Sequence, residues 1–327
     1  MYRKISAILI PTLIAVGIMA YMLYRVRADL LTALQHIVPI FLGISVIICL
    51  CAWWLRGWRY NRILIGLNYR VGIAFSMACV FVSQTYNFVV PARLGDFVRI
   101  PILNHEYKIT ISEGLSSIIV ERVFDIIAIA LLGATSLLIL PNIPGDLKIY
   151  VIILICILAT GFAFFAFLIF VGRFTTKNKY VRWILTVLDE IRRASLSLSS
   201  LFTIGISSIV IWIIDILVTC SVAMMFGQQI PFVVIVLAVV LGNLVKAVPI
   251  TPGGIGPYEF IMATTFYEIA GIAWVEALLI ATIDDLIKNL VTLAGGVVSI
   301  YYLGDWVLPT IKEAISSKLN GGEKPDA

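Results

Sequence analysis

The sequence predicts an all-α polytopic membrane protein with about six full crossings, two oppositely entering re-entrant hairpins and an inverted-topology repeat. Three observations carry this. Hydrophobic residues make up 61% of 327 and charged residues 13%, with a mean hydropathy of +1.04, whereas a soluble domain carries about twice that share of charge. At roughly 20 residues per crossing, the apolar blocks account for nearly the whole chain. Two of those blocks break at matching Pro/Gly motifs. No long polar linker divides the chain, so 1–327 reads as a single transmembrane domain.

The expected crossings are 5–24, 37–55, 116–140, 149–172, 201–225 and 277–303. The first follows Arg3 and Lys4 and has no small-residue cleavage site, which makes it an uncleaved helix. Two further apolar stretches, 71–90 and 231–249, each run into a Pro/Gly motif and then a second short apolar piece. Basic residues decide how these are counted. Arg56, Arg59, Arg62 and Arg70 follow one crossing, and Arg173, Lys177, Lys179, Arg182, Arg192 and Arg193 follow another. Both clusters belong on the cytoplasmic side, and they share it only if 71–90 and 231–249 dip in and return. That arrangement also makes both termini cytoplasmic, in a multi-pass cell-membrane protein.

The net charge of +5 sits in short interhelical segments and sets orientation; it is no nucleic-acid signal. Cys49, Cys51, Cys79, Cys156 and Cys220 all lie in apolar blocks and read as small hydrophobes. Between the fourth and fifth crossings, Val181, Ile184, Leu185, Leu188 and Ile191 recur at helical spacing opposite Lys179, Arg182, Asp189, Arg192 and Arg193. This predicts an interfacial amphipathic helix over about 178–196. The tail over about 320–327 is polar and expected to be disordered.

The two broken segments define a repeat, about 37–140 and 201–303. Setting Pro91 on Pro252 aligns Leu94 with Ile255, Gly95 with Gly256 and Phe97 with Tyr258. Glu121, Arg122 and Asp125 follow the first break as Asp284, Asp285 and Lys288 follow the second, and Trp53 and Trp212 precede them. Three crossings between the breaks make the second hairpin enter from the opposite face, the layout of transporters with a midplane site. Proline and glycine at membrane depth survive only buried in protein or lining a wet cavity. Pro257 suits the first position of a helix whose N-terminus attracts an anion.

Charges in or beside apolar blocks supply the candidate site. Arg93, Asp96, Arg99, Glu121, Arg122, Asp125, Asp215, Lys246, Glu259, Asp284, Asp285 and Lys288 would together cost on the order of 35 kcal/mol facing lipid. They are therefore expected to face one another or water. This set is formally −2, which leaves room for proton or cation coupling. Arg93 and Arg99 are the candidates for a bidentate grip on phosphate. The binding residues expected are Asn87, Arg93, Asp96, Arg99, Glu121, Arg122, Asp125, Lys246, Gly254, Gly256, Glu259, Asp284, Asp285 and Lys288, with no metal and no cofactor.

The run Asn87…Pro91-Ala-Arg93-Leu-Gly95-Asp96…Arg99, then Glu121-Arg122…Asp125, then Thr251-Pro252-Gly253-Gly254-Ile255-Gly256…Glu259 resembles the flippase-like transmembrane region of the lysylphosphatidylglycerol synthase family. That family includes the membrane half of the bacterial multiple peptide resistance factor and stand-alone archaeal and bacterial relatives. The resemblance covers about 40 to 303 and implies translocation of a phospholipid or polyprenyl-linked lipid between leaflets, aminoacylated phosphatidylglycerol in the best-known branch. The soluble aminoacyl-transferase domain of fused members has no counterpart here, so lipid aminoacylation is not carried over.

Two rivals stand beside this reading, a secondary transporter of a small charged solute and a membrane-embedded lipid-modifying enzyme. The chain lacks an Asp-rich alcohol-transferase signature, a Gly-x-Ser-x-Gly elbow and a His-Glu-x-x-His pair. His36 and His105 lie in loops away from a nucleophile. The chain is accordingly expected not to be an enzyme. A membrane lipid is the expected partner, nucleic acid is not, and a second copy of the chain is left open.

Overall fold

The computed structural model describes residues 37–89, 91–140, 148–171, 176, 178–247, 251 and 254–311. The crossing over 5–24, the outer segment 25–36, the tail, Pro252 and the side chain of Arg93 lie outside the described residues. The described chain is helical, in the order α1 (Ile40–Gly66), α2 (Ile73–Val89), a 3-10 segment (Pro91–Val98), α3 (Arg99–Tyr107), α4 (Ile111–Ile139), α5 (Lys148–Val171), α6 (Lys179–Ser195), α7 (Leu198–Met225), α8 (Phe232–Ala247), α9 (Pro257–Ala270) and α10 (Trp274–Leu303). Four helices are long and apolar enough to cross a membrane, over Ile40–Gly66, Ile111–Ile139, Ile152–Val171 and Leu198–Met225. α10 has 30 residues and spans about 45 Å, but Glu276, Asp284, Asp285 and Lys288 interrupt its apolar character.

Local chemistry fixes the helix starts. Thr110 and Glu113 form a reciprocal capping box at α4. Asn178 accepts from Tyr180 and Val181 N–H groups at α6, and Ser197 accepts from Ser200 at α7. α1 runs well past its expected end at 55 and closes at Gly66. It therefore carries Arg56, Arg59 and Arg62 on helix rather than in a loop.

α1 and α7 pack along their length and run antiparallel. Val38 N–H donates to Met225 O at 2.9 Å, and farther along Arg59 donates to Ser208 Oγ at 2.7 Å. α2 packs on α10, and α8 packs on α4. The contact points correspond between halves. Arg56 and Asp215 lie 159 residues apart, and the same separation relates Trp53 to Trp212, Tyr69 to Gln228, Phe81 to Val240 and Asn87 to Lys246. Beyond the breaks a separation four residues longer relates Glu113 to Glu276, Glu121 to Asp284, Asp125 to Lys288 and Gly133 to Gly296. Phe81 of α2 lies against Gly295 of α10, while Val240 of α8 lies against Gly133 of α4.

The same correspondence holds at the helix ends. Tyr69, just before α2, donates to Glu113 at the start of α4 at 2.7 Å. Gln228, just before α8, donates to Glu276 at the start of α10 at 2.6 Å. Partial burial and the bond to Glu113 push the Tyr69 hydroxyl up to about 12, so it stays protonated and donates.

The amphipathic helix is present as α6; Ile191 of its apolar stripe is buried, and Leu185 and Leu188 pack against the core. Val187, Glu190, Ile191, Ala194 and Ser195 are buried, while Val181 and Ile184 are 43% and 51% exposed. Glu190 ties α6 to α4 by accepting from Ser112 and Ser116, both at 2.9 Å.

Candidate functional site

Six helices and the turn after α8 enclose a cavity of about 190 Å³. α1 contributes Cys49, Trp53 and Arg56; α2 contributes Val80, Gln84, Asn87 and Phe88; α4 contributes Glu121, Arg122 and Asp125. From the second half come Trp212 and Asp215 of α7, Asn243 and Lys246 of α8, Thr251 and Gly254, and Lys288, Asn289 and Thr292 of α10. The end of α2, just before the first break, and the turn after α8 therefore open on one space.

The charges form an ordered set. Arg122 Nε and Nη2 donate to Asp96 Oδ2 at 2.8 and 2.5 Å. Lys246 pairs with Asp285 at 2.6 Å and Lys288 with Asp284 at 2.8 Å. In each pair the cation lines the cavity and the carboxylate lies behind it. The cation side chains are 28%, 18% and 18% exposed, against 6%, 3% and 0% for their partners. Asp284 is further fixed by Thr219 and Tyr258 hydroxyls at 2.8 and 2.9 Å, and Asp96 by Gln84 and Asn87 at 3.1 and 3.0 Å.

The lining carboxylates are covered in turn by arginines. Arg59 donates to Asp125 at 2.5 Å and to Glu121 at 3.1 Å. Arg99 pairs with the other oxygen of Glu121 and donates to Ser83 Oγ at 2.7 Å, its guanidinium 4.7 Å over the Tyr60 ring. Arg56 pairs with Asp215. Buried ions are tolerated at this depth only when paired and hydrogen-bonded, and every described arginine here meets that condition.

Of the expected site residues, Asn87, Glu121, Arg122, Asp125, Lys246, Gly254 and Lys288 line the cavity. Asp96, Asp284 and Asp285 stand behind it as counter-ions. Three expectations need correction. Arg99 is not placed to grip a ligand phosphate, because its side chain is 0% exposed and committed to Glu121 and Ser83. The α9 N-terminus is not open to an external anion, because Gly256 N–H donates to the chain's own Glu259 at 2.6 Å, and Gly254 N–H donates to Thr251 O at 3.1 Å. Gly256 is needed there for its φ of +95°. The −2 balance also changes. Arg56 and Arg59, expected in a cytoplasmic loop, join the paired set, and among the described side chains it then holds six basic and seven acidic residues.

Arg56, Arg59, Gln84, Asn243, Asn289 and Thr251 were not among the expected site residues. The signal for Arg56 was in the sequence, since it stands three residues after Trp53 as Asp215 stands three after Trp212. The amides carried no such signal, because a neutral side chain adds little insertion cost.

The chain matches the family model described as "Lysylphosphatidylglycerol synthase TM region" over residues 8–296. It is 30% identical over 356 residues to Glycosyltransferase AglD of Haloferax volcanii, covering 95% of this chain and 57% of that protein. A UPF0104 membrane protein of Methanocaldococcus jannaschii is 29% identical over 180 residues, 53% of this chain and 75% of the relative. One from Methanothermobacter thermautotrophicus is 25% identical over 344 residues, 92% of this chain and 95% of the relative. No solved structure gives a significant match. The chain thus spans little more than half the length of its haloarchaeal relative. The expectation that the chain is not an enzyme is corrected by this comparison, since that relative is named a glycosyltransferase and the family is named for a synthase. The chain belongs to the lysylphosphatidylglycerol synthase TM-region family, a multi-pass helical membrane protein with a lipid-related function.

Proposed function

We propose that the cavity takes the phosphate-bearing headgroup of a membrane lipid and carries it between leaflets while the hydrocarbon tails remain in the bilayer. One observation carries this reading: Arg122, Lys246 and Lys288 face one cavity, each backed by a carboxylate outside it. A backed cation keeps spare donors, and Arg122 Nη1 makes no bond among the described residues. Such a cation binds an incoming phosphate without leaving a buried charge bare when the phosphate departs. No single deep well forms, which suits transit.

We read the chain as an inverted repeat in which α2 to α3 and α8 to α9 are re-entrant excursions from opposite faces. The antiparallel α1 and α7, the exchanged packing of α2 on α10 and α8 on α4, and the Tyr69–Glu113 and Gln228–Glu276 bonds support this. A cavity at the junction of two such halves is exposed to either leaflet by rocking one half against the other.

A second reading is transfer of a sugar onto the bound lipid, favoured by the name of the haloarchaeal relative. Both readings share the headgroup site. Reconstitution into vesicles with fluorescent lipids and a membrane-impermeant quencher tests the first. Accelerated loss of the protected inner-leaflet signal is expected, and a rate equal to empty vesicles contradicts it. Adding sugar-nucleotide donors and following lipid mass tests the second.

A further inference from the structure

We infer that the headgroup is a hydroxyl-rich one, a sugar or polyol joined through phosphate, rather than an aminoacyl group or a bare phosphate; this rests on the proposed headgroup site. Three carboxamides from three helices line the cavity: Asn87 of α2, Asn243 of α8 and Asn289 of α10. The nitrogen of each is tied to a group that can only accept. Asn87 Nδ2 donates to Asp96 at 3.0 Å, Asn289 Nδ2 to Asp285 at 2.7 Å and Asn243 Nδ2 to Val239 O at 2.8 Å. A carboxylate or a carbonyl cannot donate, so the amide orientation is fixed and the oxygen is the end left over. Asn87 Oδ1 is buried against Gly95 and turned away from the cavity, whereas the half-buried Asn243 and Asn289 have oxygens that make no bond among the described residues.

Two fixed acceptors beside the cations, on Asn243 and Asn289, ask for a ligand that donates hydrogen bonds and carries one negative group. Hydroxyls on a sugar or polyol do this, and a buried acceptor left unmet disfavours a ligand that lacks them. A cationic amine would donate as well, but it would need a carboxylate to offset the surrounding cations. Glu121, Asp125 and Asp215 are each already engaged by an arginine. A bare phosphate meets the cations and leaves the amide oxygens empty.

Native mass spectrometry of the full chain in detergent tests this with phosphatidylglycerol, phosphatidylinositol, a polyprenyl-phosphate hexose, lysylphosphatidylglycerol and phosphatidic acid. The hydroxyl-rich lipids are expected to be retained over the last two, and the ranking among the first three separates polyol from sugar. Asn243→Leu and Asn289→Leu should each reduce the retention of hydroxyl-rich lipids relative to phosphatidic acid roughly three- to tenfold. The wild-type ranking stands as a test independent of how well the variants fold. Equal retention of all five lipids, or an Asn243→Leu and Asn289→Leu preference equal to wild type, overturns this inference alone. Failure to retain any phospholipid overturns the headgroup site and this inference with it.

Discussion

Arg56 of α1 and Asp215 of α7, 159 residues apart, form an ion pair at the wall of the cavity. Arg56 also lies 5.1 Å over the ring of Trp53, whose counterpart Trp212 donates to Asp125 at 3.3 Å. The pair therefore clamps α1 to α7 where the halves meet. Removing one member strands the other as a poorly solvated charge. Arg56→Leu or Asp215→Leu should each lower stability by about 3 kcal/mol, and the double variant should recover much of that loss. Thermal unfolding in detergent measures it. A double variant as unstable as the sum of the singles would refute the clamp.

Arg99 and Arg122 should separate by phenotype. Arg99→Ala leaves Glu121 and Ser83 uncompensated in the interior and should cost on the order of 3–5 kcal/mol, seen as aggregation in size-exclusion chromatography. Arg122→Gln keeps a donor toward Asp96 and should remain monodisperse while transport in vesicles drops at least tenfold. Normal transport by folded Arg122→Gln would remove it from the site.

The glycine contacts between the halves predict a contrast. A Cβ at Gly133 would lie 2.7 Å from Val240 and 2.9 Å from Leu154, whereas one at Gly43 meets nothing within 4 Å. Gly133→Val should destabilise by about 1–3 kcal/mol through overpacking of α8 on α4. Gly43→Ala should stay within about 0.5 kcal/mol of wild type. Equal effects would mean that α8 does not rest on α4 at this point.

Much of the helical framework was legible in the sequence because length and apolarity determine it, and the interruptions before Arg99 and between Ala247 and Pro257 were legible from their Pro/Gly content. The end of α1 was not. A fall in hydropathy after Trp54 looks the same whether the arginines leave the membrane or turn inward to carboxylates on other helices. The pairing that decides it, Arg59 with Asp125 and Glu121, is made only by tertiary packing. Helix α6 was legible as an element, but its tie to α4 was not. Its apolar stripe was read correctly, but Glu190 ties the helix to Ser112 and Ser116, a contact that periodicity alone does not contain.

Re-entrance has its own signature. Cysteines placed one at a time at Gln229 and Glu268 should react with an impermeant thiol reagent from one side of sealed vesicles. Cysteines at Arg70 and Lys108 should react from the other. Labelling of Gln229 and Glu268 from opposite sides would mean that α8 and α9 cross the bilayer in sequence.

The account turns on a headgroup lying among Arg122, Lys246 and Lys288. An experimental structure of the protein in nanodiscs of phosphatidylglycerol or phosphatidylinositol tests this most directly. The prediction is density for a phosphate whose oxygens lie about 3 Å from nitrogens of Arg122 and of at least one of the two lysines, with its tails leaving toward the bilayer. A cavity holding water alone, with every ordered phosphate at the membrane surface, would contradict it.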